Sequence, residues 1–338
     1  MKKMIVFVVM VVCMMILPLE GIGKEPVIEF KIAHWSSPES KEQEIVKAGA
    51  DWLEKRFPGR VKVNIYPSST LLGPTALYEG VYKGIADMAL VVPQWTPGRF
   101  PKSEVMDLPP AIPSALDATN VYWDFFNKFL ADEWTEVKVI SLHMQVPQGL
   151  HTKNKPIKTF EDIKGLKMRV YGIGKDVMKA FGGVPVSMPM SEAYEAIRQG
   201  VVGGIMVPFS EMIGYRLIDV CNYHTVVDTI ASPFLIIMNK KKWDSLPADM
   251  KQAIDKELSS YWNKQGGMIW DRWEANGREL VKKTKGHEYI ILSPEEKKKW
   301  RDKAVSVNGA WATAMEAKGL PGKKLVEEKY KAIGMYIK

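Results

Sequence analysis

The chain has 338 residues, of which 46% are hydrophobic and 25% are charged, and its formal net charge is +8 at pH 7. This length is enough for two domains of typical size, each with its own hydrophobic core. Basic and acidic residues are interleaved, as at residues 240–244 and 295–299, instead of being clustered on one element. We therefore expect no nucleic acid partner and interpret the charged residues as a solvated surface.

The first 23 residues have the pattern of an export signal. Two lysines precede an apolar run at residues 4–19, which is shorter than the roughly 20 residues that span a bilayer, and small residues follow it. We expect cleavage near Gly23 and a soluble periplasmic protein that begins around Lys24. A lipid anchor on Cys13 is the alternative, but Val12 is not the small residue that lipidation needs before the cysteine.

The cysteine content indicates that the mature fold is stabilised by its hydrophobic core and not by disulfides. Without the signal segment, Cys221 is the only cysteine, so no intramolecular disulfide is possible.

Strand and helix patterns alternate through the first lobe of the chain. Strands are predicted at 27–33, 61–66, 87–92 and 137–142, and helices at 37–57, 75–83 and 116–130. The proline-rich loop 93–113 is longer than a usual connection, so we expect it to line or cover a site. This alternation is typical of a parallel α/β architecture with helices on both faces of the sheet.

The same alternation starts again after residue 159, which indicates a second lobe. Its predicted strands are 167–170, 184–186 and 201–207, and its predicted helices are 175–181 and 191–199. Extended runs at 224–230 and 234–238 would carry the chain back to the first lobe.

A long helix is predicted at residues 246–285, with a bend at Gly266-Gly267. About 40 helical residues span roughly 60 Å, which is more than one small lobe, so we expect this helix to bridge both lobes. Helices at 294–317 and 322–333 end the chain.

The predicted organisation is therefore a signal peptide and two lobes. Lobe I comprises residues 24–147 with 238–262 returning to it. Lobe II comprises 148–237, with 263–338 as the bridging helix and the C-terminal helices.

Catalytic motifs are absent from the sequence. It contains no G-x-S-x-G, H-E-x-x-H, C-x-x-C or phosphate-binding G-x-x-x-x-G-K-[ST] segment, and Gly172 and Gly174 lack the third glycine of a dinucleotide-binding turn. The five histidines are scattered at no metal-ligand spacing and are interpreted as surface or hydrogen-bonded residues. We therefore predict no catalytic residue, no metal and no cofactor, although a periplasmic enzyme acting on a small acid remains an alternative.

Arg169 is the most informative candidate residue, because it ends an apolar strand. A buried guanidinium is costly unless it meets an anion, and its planar fork suits a carboxylate. Arg169 is therefore a candidate for binding a ligand carboxylate. The alternative is an Asp or Glu of the protein itself.

Several segments, in order along the chain, resemble the solute-binding subunits of tripartite ATP-independent periplasmic (TRAP) transporters. The longest are PIKTFEDIKGLKMRV at 156–170 and VPVSMPMSEAYEAIRQGVV at 184–202. Shorter ones are YPSS at 66–69 with Leu72-Gly73, GIADM at 84–88 and WDSLP at 243–247. The resemblance covers essentially the whole mature chain.

This resemblance implies a two-lobed periplasmic-binding-protein-like fold that closes around its ligand, with a long helix bridging both lobes. It also implies that Arg169 binds the ligand carboxylate, and that the partners are separate membrane subunits driven by an ion gradient.

The chain departs from many of these relatives at two polar positions. Val207 replaces an asparagine that helps to hold the carboxylate, and Gln148 lies where sugar-acid binders have a second arginine. Other positions that line the cleft in relatives are apolar or aromatic here, and we predict that they contact the ligand: Trp35, Trp95, Tyr171 and Met190.

The predicted function is capture of a small organic acid, a monocarboxylate with an apolar or aromatic body, by a monomer in the periplasm. Lysines near the cleft, Lys153 and Lys155, would weaken this prediction if they supplied a second cation. The open alternatives are a binding protein of an ATP-driven importer, a sensor module and the enzyme mentioned above.

Overall fold

The computed structural model describes residues 26–334. The predicted export signal, its cleavage site near Gly23 and the lipidation alternative at Cys13 lie outside these residues. Within residues 26–334, no helix combines the length and the apolar character needed to cross a membrane.

The described residues form eleven strands and twelve α-helices. The strands are β1 (Ile28–Ala33), β2 (Val61–Tyr66), β3 (Met88–Val91), β4 (Val137–Met144), β5 (Gly149–Thr152), β6 (Lys167–Arg169), β7 (Val184–Val186), β8 (Gly204–Val207), β9 (Tyr223–Val226), β10 (Pro233–Asn239) and β11 (Glu288–Ile291). The helices are α1 (Lys41–Arg56), α2 (Leu77–Tyr82), α3 (Ala115–Phe129), α4 (Gly174–Phe181), α5 (Met190–Arg198), α6 (Glu211–Gly214), α7 (Lys240–Ser245), α8 (Ala248–Ala253), α9 (Ser259–Lys283), α10 (Pro294–Val305), α11 (Val307–Glu316) and α12 (Gly322–Ile333).

The strands form two sheets, one in each lobe, which confirms the predicted two-lobed α/β fold. The first sheet has the order β2-β1-β3-β10-β4, and the second has the order β11-β9-β5-β8-β6-β7. The chain passes from the first sheet to the second between β4 and β5, and it returns between β9 and β10.

Neither sheet is wholly parallel, and this corrects the parallel architecture expected from the sequence. Strand β10 runs antiparallel to both β3 and β4, and β5 runs antiparallel to both β8 and β9. Parallel neighbours require a long crossover connection. Strands β5 and β10 instead enter from the other sheet through short segments, so the crossover rule does not set their direction.

The strand pairing places the return to the first sheet at Pro233, so the predicted boundary at residue 238 falls inside β10. The C-terminal helices also divide between the lobes. Helix α10 packs on α4 of the second lobe, whereas α12 packs on α3 of the first, although residues 263–338 were all assigned to lobe II. The remaining domain limits stay a prediction.

A long helical segment bridges both lobes, as predicted. It consists of α8, a π-helical turn at Ile254–Leu258 and α9. Near its start, Trp262 Nε1 donates to Ile45 O at 2.7 Å in the first lobe. Further along, Glu274 accepts a hydrogen bond from the backbone N–H of Ser210 at 3.0 Å in the second lobe.

The glycine pair at 266–267 does not interrupt the helix, since α9 is continuous through it. A Cβ atom on Gly266 would lie 2.6 Å from the His143 side chain, and one on Gly267 would lie 2.6 Å from Leu116 Cα. The two glycines therefore allow α9 to approach β4 and α3 closely, and the bend expected there is replaced by close packing.

The hydrophobic core lies on both faces of the first sheet and continues into the second lobe. Strand β10 is buried along its whole length, as expected for a central strand covered on both faces. One cluster packs the sheet against α1 and the bridging helix, with Ile32, Ile45 and Trp262 at its centre. This packing holds the carboxyl ends of the strands, where the site lies, on a rigid frame.

Candidate functional site

An inner chamber of about 100 Å³ lies between the two sheets. All seven residues predicted from the sequence line it: Trp35, Trp95, Gln148, Arg169, Tyr171, Met190 and Val207. Ten other residues complete its wall: Glu42, Val92, Gln94, Gln145, Met206, Pro208, Glu211, Tyr215, Ser232 and Phe234. The structure therefore brings the predicted residues together, whereas their role in binding stays a prediction.

A larger outer chamber of about 640 Å³ adjoins the inner one. The two chambers share Trp35, Trp95, Arg169, Tyr171, Met190 and Tyr215. The outer chamber is otherwise lined by small polar residues and prolines, among them Ser36, Ser37, Ser40, Pro74 and Pro189. A ligand held at the shared wall would thus have room beyond its immediate contacts.

The fold places these side chains at the carboxyl ends of strands from both sheets. Trp35 follows β1 and Trp95 follows β3, while Arg169 is the last residue of β6 and Val207 is the last residue of β8. Open α/β sheets bind ligands at this edge, because the loops there diverge and leave a crevice.

Arg169 carries a buried guanidinium with few partners. Only 7% of its surface is exposed, and Nε and Nη2 both donate to Met188 O, at 3.2 Å and 3.0 Å. Burial lowers the pKa of Arg169, and the nearby Tyr215 and Glu211 oppose this effect. Within residues 26–334 no carboxylate lies in ion-pair contact with it, so the internal acidic partner considered as an alternative is not found there.

Aromatic side chains form the apolar wall of the inner chamber. The rings of Trp35 and Trp95 meet edge to face, with centroids 4.3 Å apart at an interplanar angle of 83°. Phe234 stacks on Trp35 at 6.0 Å. The guanidinium of Arg169 lies 5.9 Å from the ring centroid of Tyr171. This wall suits an apolar ligand body next to a single cation.

No second cation reaches the inner chamber from the lysines considered in the sequence. Lys153 Nζ donates to Arg198 O at 2.6 Å, and Lys155 Nζ donates to Asp162 O. Among the described residues that line this chamber, Arg169 is the only one with a cationic side chain.

A buried ion-pair cluster, which the sequence analysis missed, lies on the chamber wall. Lys41 Nζ contacts Glu211 Oε1 at 2.8 Å and Glu42 Oε1 at 3.1 Å, and Glu211 comes from the opposite lobe. Burial by itself would lower the pKa of Lys41, but the two glutamates raise it. The sequence offers little signal here, because acidic residues in the first turn of α1 are typical of an exposed helix start.

Three of the histidines lie together and are hydrogen-bonded, which agrees with their interpretation as hydrogen-bonded residues, although their proximity was not expected from the sequence. His151 Nε2 donates to Val207 O at 3.0 Å, and His151 Nδ1 lies 2.9 Å from His224 Nδ1. His224 Nε2 in turn lies 3.1 Å from His287 Nδ1. Burial lowers the pKa of His151 to about 3 and of His224 to about 2, so both rings are neutral at pH 7.

Neutral rings give this histidine chain one direction of donation. Because Val207 O can only accept, His151 Nε2 donates to it, and in the neutral ring His151 Nδ1 then accepts from His224 Nδ1. The His151 ring thereby fixes the carbonyl group of Val207 at the end of β8. Within residues 26–334 no group of three or more ligand side chains is arranged to hold a metal ion.

Acidification is expected to destabilise the fold through His143. Burial lowers its pKa to about 3 from 6.5, and neither ring nitrogen has a hydrogen-bond partner. The unfolded chain binds a proton as the pH falls through 6.5, but the folded chain does not until about pH 3, so the free energy of unfolding falls through that window. The variant His143→Gln should therefore lose less melting temperature than the wild type between about pH 7 and about pH 4.

Comparing how the melting temperature of the wild type and of His143→Gln depends on pH separates the effect of His143 from groups that stabilise the fold as the pH falls. Burial raises the pKa of Asp107 to about 8, so its contribution to stability is lost as the pH rises from the ordinary carboxyl range to that value. Equal slopes in the wild type and His143→Gln would contradict a buried neutral histidine at this position.

Comparison with known proteins gives a consistent result. The model of the bacterial extracellular solute-binding protein family 7 matches residues 32–313. A C4-dicarboxylate-binding periplasmic protein of Rhodobacter capsulatus is 27% identical over 305 residues, which cover 89% of this chain and 91% of that protein.

Two solved structures are similar over both lobes. A TRAP solute-binding protein of Rhodoferax ferrireducens in complex with copurified benzoate has a TM-score of 0.86 and 27% identity, covering 92% of this chain and 98% of its own. A marine metagenome TRAP solute-binding protein specific for aromatic acid ligands, in complex with 3-hydroxybenzoate, has a TM-score of 0.86 and 28% identity, covering 93% and 100%.

Proposed function

We propose, because the chain belongs to family 7 of the bacterial extracellular solute-binding proteins, that it captures a monocarboxylate with an apolar or aromatic body. The chain is the solute-binding subunit of a TRAP transporter, and this family delivers small organic acids to separate membrane components. One observation carries the proposal: the buried guanidinium of Arg169 has no carboxylate partner within residues 26–334.

Arg169 is proposed to bind the ligand carboxylate. Met188 O occupies the Nε and Nη2 edge of the guanidinium, which leaves the other N–H groups of the fork for a ligand. Hydrogen bonds between two charged groups are about twice as strong as neutral ones, and the planar fork also fixes the orientation of the carboxylate. The carboxylate would in turn compensate the cost of burying the guanidinium.

The body of the ligand is proposed to lie against Trp35, Trp95, Tyr171 and Met190. Burying apolar surface contributes roughly 25 cal/mol per Å², and aromatic pairs add to this when their rings meet edge to face or offset. The relatives whose structures hold benzoate and 3-hydroxybenzoate support an aromatic body for the ligand of this chain as well.

Dicarboxylates are expected to bind less well. Gln148 and Val207 offer no positive charge, and no second cation lines the inner chamber among the described residues. A buried polar group left without a partner costs about 1 to 3 kcal/mol, and more when it is charged. The Rhodobacter relative is named for C4-dicarboxylates, so this composition is the feature that argues for a different ligand here.

The proposed mechanism is capture and release without a change in the ligand. The lobes close on the acid, the aromatic wall excludes water, and the membrane subunits open the lobes again. Family members are periplasmic, and we infer that residues 1–23 direct export and are removed near Gly23. We infer that the protein acts as a monomer.

A thermal-shift screen of organic acids tests the proposal. At about one hundred times its dissociation constant, a ligand stabilises the protein by roughly 2.7 kcal/mol, which registers as a higher melting temperature. Phenyl-, hydroxyphenyl- and indole-type acids and short aliphatic 2-oxo acids should raise the melting temperature more than succinate, malate or sialic acid.

The opposite ranking of the melting temperatures would contradict the proposal. Larger shifts from the dicarboxylates would show that the inner chamber contains a second site for an anionic group.

A further inference from the structure

We propose that Glu42 and Glu211 select acids that carry a hydrogen-bond donor, a hydroxyl or an ammonium group, on the body of the molecule. The inference rests on the proposed function, because it assumes that an acid occupies the inner chamber with its carboxylate at Arg169. Besides the cation Arg169, the chamber would then have a second group of ligand contacts, which are hydrogen-bond acceptors.

The two glutamates lie on the chamber wall and come from opposite lobes. Glu42 belongs to the first turn of α1 and Glu211 begins α6, and only 2% and 6% of their surfaces are exposed. They share one ammonium group, since Lys41 Nζ contacts Oε1 of both. Two buried carboxylates with one shared lysine have more acceptor capacity than their neighbours satisfy.

The other oxygen of each carboxylate, Oε2, has no hydrogen-bond partner within residues 26–334. The nearest donors make no hydrogen bond to either Oε2 atom. The hydroxyls of Tyr215 and Ser36 lie 3.4 Å apart, and the Lys41 ammonium lies 4.4 Å from the ring centroid of Trp270. A buried acceptor without a donor is unfavourable, so a ligand that supplies an O–H or N–H group gains affinity that its parent acid lacks.

The charges of the site favour the same class of ligand. Counted as formal charges, Lys41 and Arg169 balance Glu42 and Glu211 without a ligand, and both cations oppose the rise that burial causes in the pKa of Glu211. The carboxylate of a bound acid adds a negative charge to a wall that already holds two. An ammonium group on the ligand would restore neutrality, and a hydroxyl group would donate to one carboxylate without adding charge.

Calorimetric titration of matched acids tests the inference. The three hydroxybenzoates are compared with benzoate for the hydroxyl group, and phenylalanine is compared with 3-phenylpropanoate for the ammonium group. We expect at least one donor-bearing acid to bind at least about tenfold more tightly than its parent, since a site built to bond a donor rejects the analogue without it. The pair that shows the preference identifies the donor.

The variants Glu42→Gln and Glu211→Gln should bring this affinity ratio close to one, because an amide is neutral and carries its own donor. Glu39→Gln is the matched control, since Glu39 is exposed three residues before Glu42, and it should keep the wild-type ratio. If neither glutamine variant folds, the wild-type ratios decide the matter.

Equal affinities within every wild-type pair would overturn the inference while leaving the proposed function intact, and so would a preference that survives in both glutamine variants. Absence of binding by every acid, with or without a donor, would instead overturn the proposed function.

Discussion

Replacing Arg169 by alanine is expected to weaken binding of the tightest monocarboxylate by about 2 to 5 kcal/mol. The loss is large because the ligand carboxylate would stay buried without its cation, and desolvation is then uncompensated. Isothermal titration calorimetry of the wild type and of Arg169→Ala measures the difference directly.

The same variant should fold as well as the wild type in the absence of ligand. Arg169 makes no ion-pair contact within residues 26–334 and donates only to Met188 O, so its removal breaks no salt-bridge network. A structural role would lower the melting temperature of the unliganded variant. Arg198→Ala is the matched control, because Arg198 is exposed and pairs with Glu195 on the surface of α5. Unchanged affinity in Arg169→Ala would count decisively against its role in binding.

Replacing Trp262 by alanine is expected to lower the free energy of unfolding by about 3 to 5 kcal/mol. The indole of Trp262 is fully buried, and its Nε1 donates to Ile45 O. Its ring also fills the space above Gly49, where a Cβ atom would lie 2.2 Å away. The variant would thus leave a cavity at the contact between α1 and the bridging helix. Urea unfolding followed by fluorescence or circular dichroism measures the loss.

Met268→Ala is the matched control on the same helix. Met268 is 44% exposed, so its truncation should change the free energy of unfolding by no more than about 0.5 kcal/mol. A loss below about 1 kcal/mol for Trp262→Ala would contradict the view that this contact anchors the bridging helix to the first lobe.

The sequence predicted elements well where local signals mark both ends. Strand β2 and helix α12 have the bounds that were expected from the sequence. Pro58-Gly59 and Pro67 flank β2, and Pro321 and Gly334 flank α12, so the backbone cannot extend either element easily.

The sequence analysis missed two strands, β5 and β11, because they form only by pairing with partners that are distant in the sequence. Strand β5 contains only four residues and pairs with β8 and β9, which follow it by more than fifty residues. Strand β11 lies at the edge of the second sheet, where Ile291 is exposed, so its pattern does not alternate in the usual way. Pairing with distant strands determines where β5 and β11 form, and the periodicity of the sequence contains no information about that pairing.

The sequence predicted part of the candidate site and missed the rest. Motifs around Arg169 and the positions after β1 and β3 identified seven residues, and these lie around one chamber. Lys41, Glu42 and Glu211 were missed, because their meeting joins α1 to α6 across the two lobes. Glu42 and Glu211, each taken alone, lie where acidic residues usually begin an exposed helix.

A crystal structure of the protein with its tightest monocarboxylate tests the central claim most directly. The account predicts the ligand carboxylate on the guanidinium of Arg169 and the ligand body between Trp35, Trp95 and Tyr171. A carboxylate that points away from Arg169, or a ligand bound outside the inner chamber, would contradict it.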